Sequence, residues 1–277
     1  MASLQTGPKK DPGNFRDTIN EVARTRGSAV TVFGDFCKMV ACALAPRDAS
    51  GLSIREAEYM ETIKGYNKAE LDSFAKAMAR LITEMEQKPF QDVLGPYYVE
   101  NASKSTVEAR GEFYTPHAVS SLIASMTINP EEVIARGEPI TLSDPCVGSG
   151  GMILAAAELF APSKAVDLLR VTAIDISPLA CDMTCINTTC WGIPAAVTWG
   201  NALTLEEKRT WKNIHWYRVG EDDRQALLKM RDVLNGAFIE EATPERTPAP
   251  READFIIPPP EQRHQGELDF DFFDSLT

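Results

Sequence analysis

Between residues 138 and 202 the sequence alternates β-rich runs with helical runs, and this alternation constrains the fold more than any other feature. "PITLSDP" reads as a strand, "GGMILAAAELF" as a helix and "LLRVTAIDIS" as a second strand. "PLACDMTCINTTCWG" reads as a helix closed by Gly192, and "AAVTWGN" as a third strand. Strand–helix–strand–helix–strand predicts a doubly wound parallel α/β sheet, whose ligands bind beyond the carboxyl ends of the strands.

The chemistry-bearing residues fall at those ends. Asp144 and Pro145 close the first strand ahead of Gly148-Ser149-Gly150-Gly151, Asp175 and Ile176 close the second, and Asn201 closes the third. Glycines let a backbone approach a ligand, and the helix start that follows offers free N–H groups. Asp144 is placed to meet an ammonium group. Asp175 is placed to accept two ribose hydroxyls and Asn201 to read an adenine amino group. The run lacks the sixth-position glycine of G-x-G-x-x-G, which argues against a dinucleotide oxidoreductase.

Residues 16–100 read as helical. In "NKAELDSFAKAMARLITEME" Leu71, Phe74, Met78, Leu81 and Ile82 form an apolar stripe, and Asn67 with Glu70 makes a capping-box start. "AVTVFGDFCKMVACALA" is apolar throughout and reads as a buried helix, while "FQDVLGPYYVE" leads the chain out of the helices. Beyond the third strand, "LTLEEKRTW" and "EDDRQALLKMRDVLNG" read as two further helices. "NIHWYRV" between them is either a base-stacking or phosphate-contacting segment or a short core strand. Residues 242–265 hold six prolines among alternating charges and read as a linker. The expected domains are a mobile start at 1–15, a helical domain at 16–110, a ligand-binding domain at 111–236 and a Pro-rich acidic tail at 237–277.

A net charge of −12 is unusual for a chain that meets nucleic acid. Residues 221–277 carry 14 of its 40 acidic residues and only 6 of its 28 basic ones, so the body is closer to neutral. No run of eighteen apolar residues marks a membrane span. The six cysteines lack a C-x-x-C pair and an adjacent His, and are expected to be reduced structural thiols of a cytoplasmic protein, with no metal.

"GEFYTP", "DPCVGSGGMIL", "AIDISPLA" and "GNAL", in this order, resemble the N6-adenine DNA methyltransferases related to the modification subunit of type I restriction systems. The resemblance covers about residues 90–205. It implies a Rossmann-like methyltransferase domain behind an N-terminal helical domain, with S-adenosylmethionine as cofactor. It also implies that Tyr114, Thr115 and Pro116 border the methionine end of that donor opposite the glycine loop. In this reading Thr115 caps a helix whose first turn carries Pro116, and His117 lies on its surface. DNA is the implied partner, together with a separate specificity or modification subunit.

The family's acceptor motif, N-P-P-[FY], places an Asn side chain and a proline carbonyl on the adenine N6 amine and stacks an aromatic on the flipped base. No N-P-P occurs in the sequence. "ADFIIPPPE" is the nearest segment, with Pro258, Pro259 and Pro260 as the candidate catalytic positions; it is either a degenerate motif or part of the tail. The expected activity is adenine N6 methylation of DNA. The alternative is a donor-binding relative that acts as a partner subunit.

The tail ends in "HQGELDFDFF", where Leu268 and Phe270 interrupt polar surroundings. These residues either fold back onto the domain or form a docking peptide. "QGELDF" resembles the Q-x-x-L-x-F peptides that bind the replication sliding clamp, with Gln265, Leu268 and Phe270 as anchors. A labelled 261–277 peptide titrated against purified clamp decides between these readings. Docking requires polarisation to rise for this peptide and not for one carrying Leu268→Ala and Phe270→Ala. Equal signals, or no binding at about 100 μM, exclude it.

Overall fold

The computed structural model describes residues 13–102 and 115–218, all within one compact unit, Met1–Lys229. The structure begins with five helices: α1 (Phe15–Arg26), α2 (Ala29–Leu44), α3 (Glu56–Ile63), α4 (Lys68–Gln87) and α5 (Leu94–Asn101). Side chains fix where they start. Asn14 accepts from the Asp17 N–H at 2.8 Å, and Asn67 and Glu70 cap each other's backbone at 3.0 and 2.9 Å. Phe15, Phe33 and Tyr97 meet in the centre of this layer, with the Phe33 and Tyr97 rings 4.7 Å apart. The Tyr97 hydroxyl donates to Asn20 at 2.7 Å, so the buried ring keeps its polar tip paired. "FQDVLGPYYVE", expected to leave the helices, instead forms the short helix α5, because Leu94, Tyr97 and Tyr98 have a core to fill.

The second half holds α6 (His117–Thr127), α7 (Pro130–Arg136), β1 (Ile140–Asp144), α8 (Gly151–Glu158), β2 (Leu169–Asp175), α9 (Pro178–Cys190), β3 (Ala195–Asn201) and β4 (Glu206–Lys212). The sheet order is β1-β2-β3-β4, with β1, β2 and β3 parallel. Right-handed crossovers in that order put α8 and α9 on one face, where Leu169, Val171, Ala173, Ala195 and Val197 are buried. The α/β class is as expected. The double winding is not seen among the described residues, whose strands progress in a single direction from β1.

Two sequence expectations are corrected here. "LTLEEKRTW" is not a helix: its residues 206–211 lie in β4, which pairs antiparallel with β3. Edge pairing overrides the helical preference of Glu, Lys and Arg, because the turn after Asn201 returns the chain onto β3. The Asn201 side-chain oxygen accepts from the Leu203 N–H at 2.9 Å and holds that turn. Gly200 is required beside it, since a Cβ there would lie 2.3 Å from the Glu206 carbonyl oxygen. "NIHWYRV" is not a strand: residues 214–218 are helical, and the Asn213 side chain accepts from the Trp216 N–H at 3.0 Å. Trp216 lies under the Arg170 guanidinium at 4.6 Å and His215 meets the Thr189 carbonyl at 3.0 Å, so both pack locally.

Cys37, Cys42 and Cys181 are buried and all six thiols are free, but Cys146 is exposed. Burial pushes the Cys42 and Cys190 thiols up to about 11, which keeps them protonated at neutral pH. Among the described residues no group of side chains could hold a metal ion, and no helix is long and apolar enough to cross a membrane.

The helical layer and the sheet are joined by a buried ion pair. Arg55 donates to Asp182 on α9 at 2.8 Å and to Glu58 at 2.8 Å, and its guanidinium covers Trp211 of β4 at 4.5 Å. Arg209 reaches the other oxygen of Glu58 at 2.6 Å. Removing one partner of such a pair leaves a buried charge alone, whereas removing both is tolerated. Arg55→Ala is therefore expected to lower stability in urea unfolding by about 3–5 kcal/mol. Arg55→Met combined with Asp182→Leu is expected to recover most of it. A single-variant loss below about 1 kcal/mol contradicts this role.

Candidate functional site

The site starts where β1 ends. Asp144 is half-buried, and its carboxylate accepts from the Cys146 N–H at 3.1 Å. Burial raises its carboxyl above the ordinary range, and the charge of Asp175 adds to the shift. Pro145 is exposed beside it. The chain then turns through Gly148 at φ +57° and Gly150 at φ +89°, both left-handed, before α8 begins. A Cβ at Gly150 would sit in ordinary contact with the Thr184 hydroxyl at 3.4 Å, so it is the left-handed φ that favours glycine there.

Asp175, at the end of β2, gathers this loop. Its carboxylate accepts from the Gly148 N–H at 2.8 Å and from the Ser177 N–H at 2.8 Å. The Gly150 N–H donates to the Val147 carbonyl at 2.9 Å. The N–H groups left for a ligand are therefore that of Ser149 and those of Gly151, Met152 and Ile153 at the start of α8, before the Leu154 N–H returns to the Gly150 carbonyl. Ile176 follows Asp175 and is 68% exposed, an apolar surface at the strand end. Asn201 sits at the end of β3, but its side-chain oxygen is engaged by the Leu203 and Thr204 N–H groups. Its amide nitrogen donates rather than accepts.

Three side chains that sequence spacing did not single out hold the loop from behind. The Thr184 hydroxyl donates to the Gly148 carbonyl at 2.9 Å, and the Asn187 amide donates to the Ser149 carbonyl at 2.8 Å. Asp92 accepts from the Ser149 hydroxyl and from Asn187. Ser149 is 2% exposed, so its hydroxyl is turned into the protein, away from the ligand side expected for it. Thr184 and Asn187 lie three apart on a buried helix, beyond Asp182. That polar pair on a buried helix was the legible signal. Asp92 gave none, because its partners are 57 and 95 residues away.

The structure does not bring Thr115 and Pro116 to the loop. Helix α6 packs antiparallel on α8: His117, at its start, faces Glu158 at the far end of α8 at 3.4 Å, while Ala124 rests on Ala155 and Ala156. Eight residues of α8 rise about 12 Å, which separates the Thr-Pro start from Gly151 by that span. Pro116 occupies the N-cap position and Thr115 makes no cap. The other end of α6 borders the loop instead. Ile123, Thr127 and Ile128 enclose, with Leu142, Asp144 and Met152, a cleft of about 270 Å³ along the outer edge of β1. Tyr114, Pro258, Pro259, Pro260, Gln265, Leu268 and Phe270 lie outside the described residues.

Residues 90–217 match the family model of the N-6 DNA methylases. S-adenosylmethionine is the methyl donor of such a domain. No curated protein matches the chain. A solved structure from Listeria monocytogenes, assigned as a class I S-adenosylmethionine-dependent methyltransferase, aligns at 10% identity with a TM-score of 0.36. The alignment covers 66% of this chain and 51% of that one, so the chain spans about half the length of the structure it matches.

Enclosure also sets a pH dependence. Burial lifts the Asp92 carboxyl above the ordinary range, against the pull of Ser149, Gly95, Asn187 and Leu94. A carboxyl with a raised value binds protons better in the folded chain than in the unfolded one. Its stabilising contribution is complete below the unfolded value of about 3.9 and is lost as pH rises through the raised value. The melting temperature of Asp92→Asn is expected to lack that downward leg. Parallel profiles for the variant and the unaltered chain contradict the assignment.

Proposed function

Because residues 90–217 match the N-6 DNA methylase family model, we propose that this chain binds S-adenosylmethionine at the β1–α8 loop and methylates the N6 amine of an adenine flipped out of DNA. The observation that carries the donor half is the left-handed Gly148–Gly150 loop, tied to Asp175 and opening onto the start of α8. In this reading the first N–H groups of α8 hold the donor's carboxylate, and Asp144 holds its ammonium group. Asp175 retains lone pairs for a ribose hydroxyl while it holds Gly148 and Ser177. Ile176 lies against the adenine ring, and the Asn201 amide can donate to a ring nitrogen. When bound, S-adenosylmethionine supplies a methyl group on a positively charged sulfur, and the protein contributes position.

For the acceptor half, the sequence offers Pro258, Pro259 and Pro260, whose carbonyls can accept from the N6 amine. A second reading is a donor-binding partner subunit with impaired transfer, and Pro258 standing where the family has Asn favours it. Both readings involve DNA and a separate specificity or modification subunit. The clamp-binding reading of Gln265, Leu268 and Phe270 adds a further partner.

Incubation of the full chain with labelled donor and mixed duplex DNA, followed by nucleoside mass spectrometry, tests the proposal. N6-methyladenine is expected. Donor binding without any methylated nucleoside supports the second reading, and a label on another base overturns adenine as the acceptor. Asp175→Ala removes ribose and loop bonds together and is expected to weaken donor binding by an order of magnitude or more. Unchanged affinity contradicts this placement of the donor.

A further inference from the structure

Asp92 lies between α4 and α5, outside the α/β part of the chain, yet its carboxylate is divided between two tasks. One oxygen accepts from the Leu94 and Gly95 N–H groups, both at 3.1 Å, and from the Asn187 amide at 3.2 Å. This fixes the start of α5. The other oxygen accepts from the Ser149 hydroxyl in the glycine loop. Asn187 closes the figure, because the same amide group donates to the Ser149 carbonyl at 2.8 Å.

The consequence for the loop is directional. A trans peptide points its C=O and the following N–H in opposite directions. With the Gly148 carbonyl held inward by Thr184, the Ser149 N–H faces away from α9. The backbone of Gly148, Ser149 and Gly150 is held by Asp175, Val147, Thr184 and Asn187. Asp92 adds the one bond to a loop side chain, the Ser149 hydroxyl, and holds Asn187 in place as well. A site whose donors already point at the ligand binds without the cost of ordering them.

We propose that Asp92 is a positioning residue of the donor site: by holding the Ser149 hydroxyl and the Asn187 amide, it fixes the loop in the conformation that receives S-adenosylmethionine. The helical layer is thereby part of the donor site, although none of its side chains need touch the ligand. This inference rests on the donor reading of the glycine loop.

The test compares donor affinity by calorimetry with the donor-free melting temperature, using the full chain and its Asp92→Ala, Asp92→Asn, Ser149→Ala and Asp92→Ala/Ser149→Ala variants. Asp92→Ala is expected to bind S-adenosylmethionine about tenfold more weakly at temperatures where it is fully folded. Asp92→Asn is expected to stay within about twofold. Its oxygen keeps the three N–H donors, and its amide can donate to the Ser149 hydroxyl, which then accepts. The double variant is expected to be no weaker than Asp92→Ala, since both changes break one link. A folded Asp92→Ala chain with unaltered affinity overturns the proposal, as do losses that add in the double variant. If Asp92→Ala does not fold, Ser149→Ala decides alone: weaker binding supports the role and equal binding overturns it. Failure of the unaltered chain to bind overturns the donor reading itself, a distinct result.

Discussion

Helix α9 is enclosed on almost every side, and the rest of the structure follows from what that enclosure demands. Ala180, Cys181, Met183 and Ile186 are buried, and so are the polar residues Asp182, Thr184, Asn187 and Thr188. A polar group taken from water without a partner costs up to several kcal/mol, so each needs a bond inside the protein. The bonds run in three directions. Asp182 takes Arg55 from the helical layer, Thr184 and Asn187 take the carbonyls of the glycine loop, and the Cys181 thiol faces the Asp175 and Thr198 carbonyls in the sheet. Met183 and Ile186 meanwhile complete the core formed with α1, α2 and α4, while Cys181 belongs to the core beneath the sheet. One helix thus joins two cores and the loop between them.

This arrangement makes the loop a preformed feature. Gly148 and Gly150 have their N–H groups engaged by Asp175 and Val147, and the Gly148 and Ser149 carbonyls are engaged by α9. Little is left to reorganise except the exposed residues around Pro145 and Cys146. In the proposed donor site the ligand would meet the start of α8, the half-buried Asp144 and the apolar Ile176, with the cleft along β1 beside them. That surface carries one anion-binding and one cation-binding element, which suits a zwitterionic amino-acid end.

Much of this was legible in the sequence. Alternating strands and helices gave β1, α8, β2, α9 and β3, and the strand-end residues Asp144, Asp175 and Asn201 fell where the pattern put them. Local signals such as the Asn67–Glu70 capping box were read with equal ease. The failures share a cause. "LTLEEKRTW" reads as a helix by composition, but a turn held by Asn201 and pairing with β3 decide its state. Tertiary partners also decide the direction of the Ser149 hydroxyl, the use of Asp175 within the loop and the antiparallel docking of α6 on α8. Asp92 is the extreme case, since its role exists only through residues from two distant helical and loop segments.

In the proposed function the donor sits on the β1–α8 loop against the starts and ends of these elements. Backbone amide spectra of the labelled protein, recorded during titration with S-adenosylmethionine, test it most directly. The account predicts the largest shifts at Gly151, Met152 and Ile176, with Gly148 and Gly150 moving less because their N–H groups are already bonded. Saturable shifts centred elsewhere, or none at these residues, contradict it.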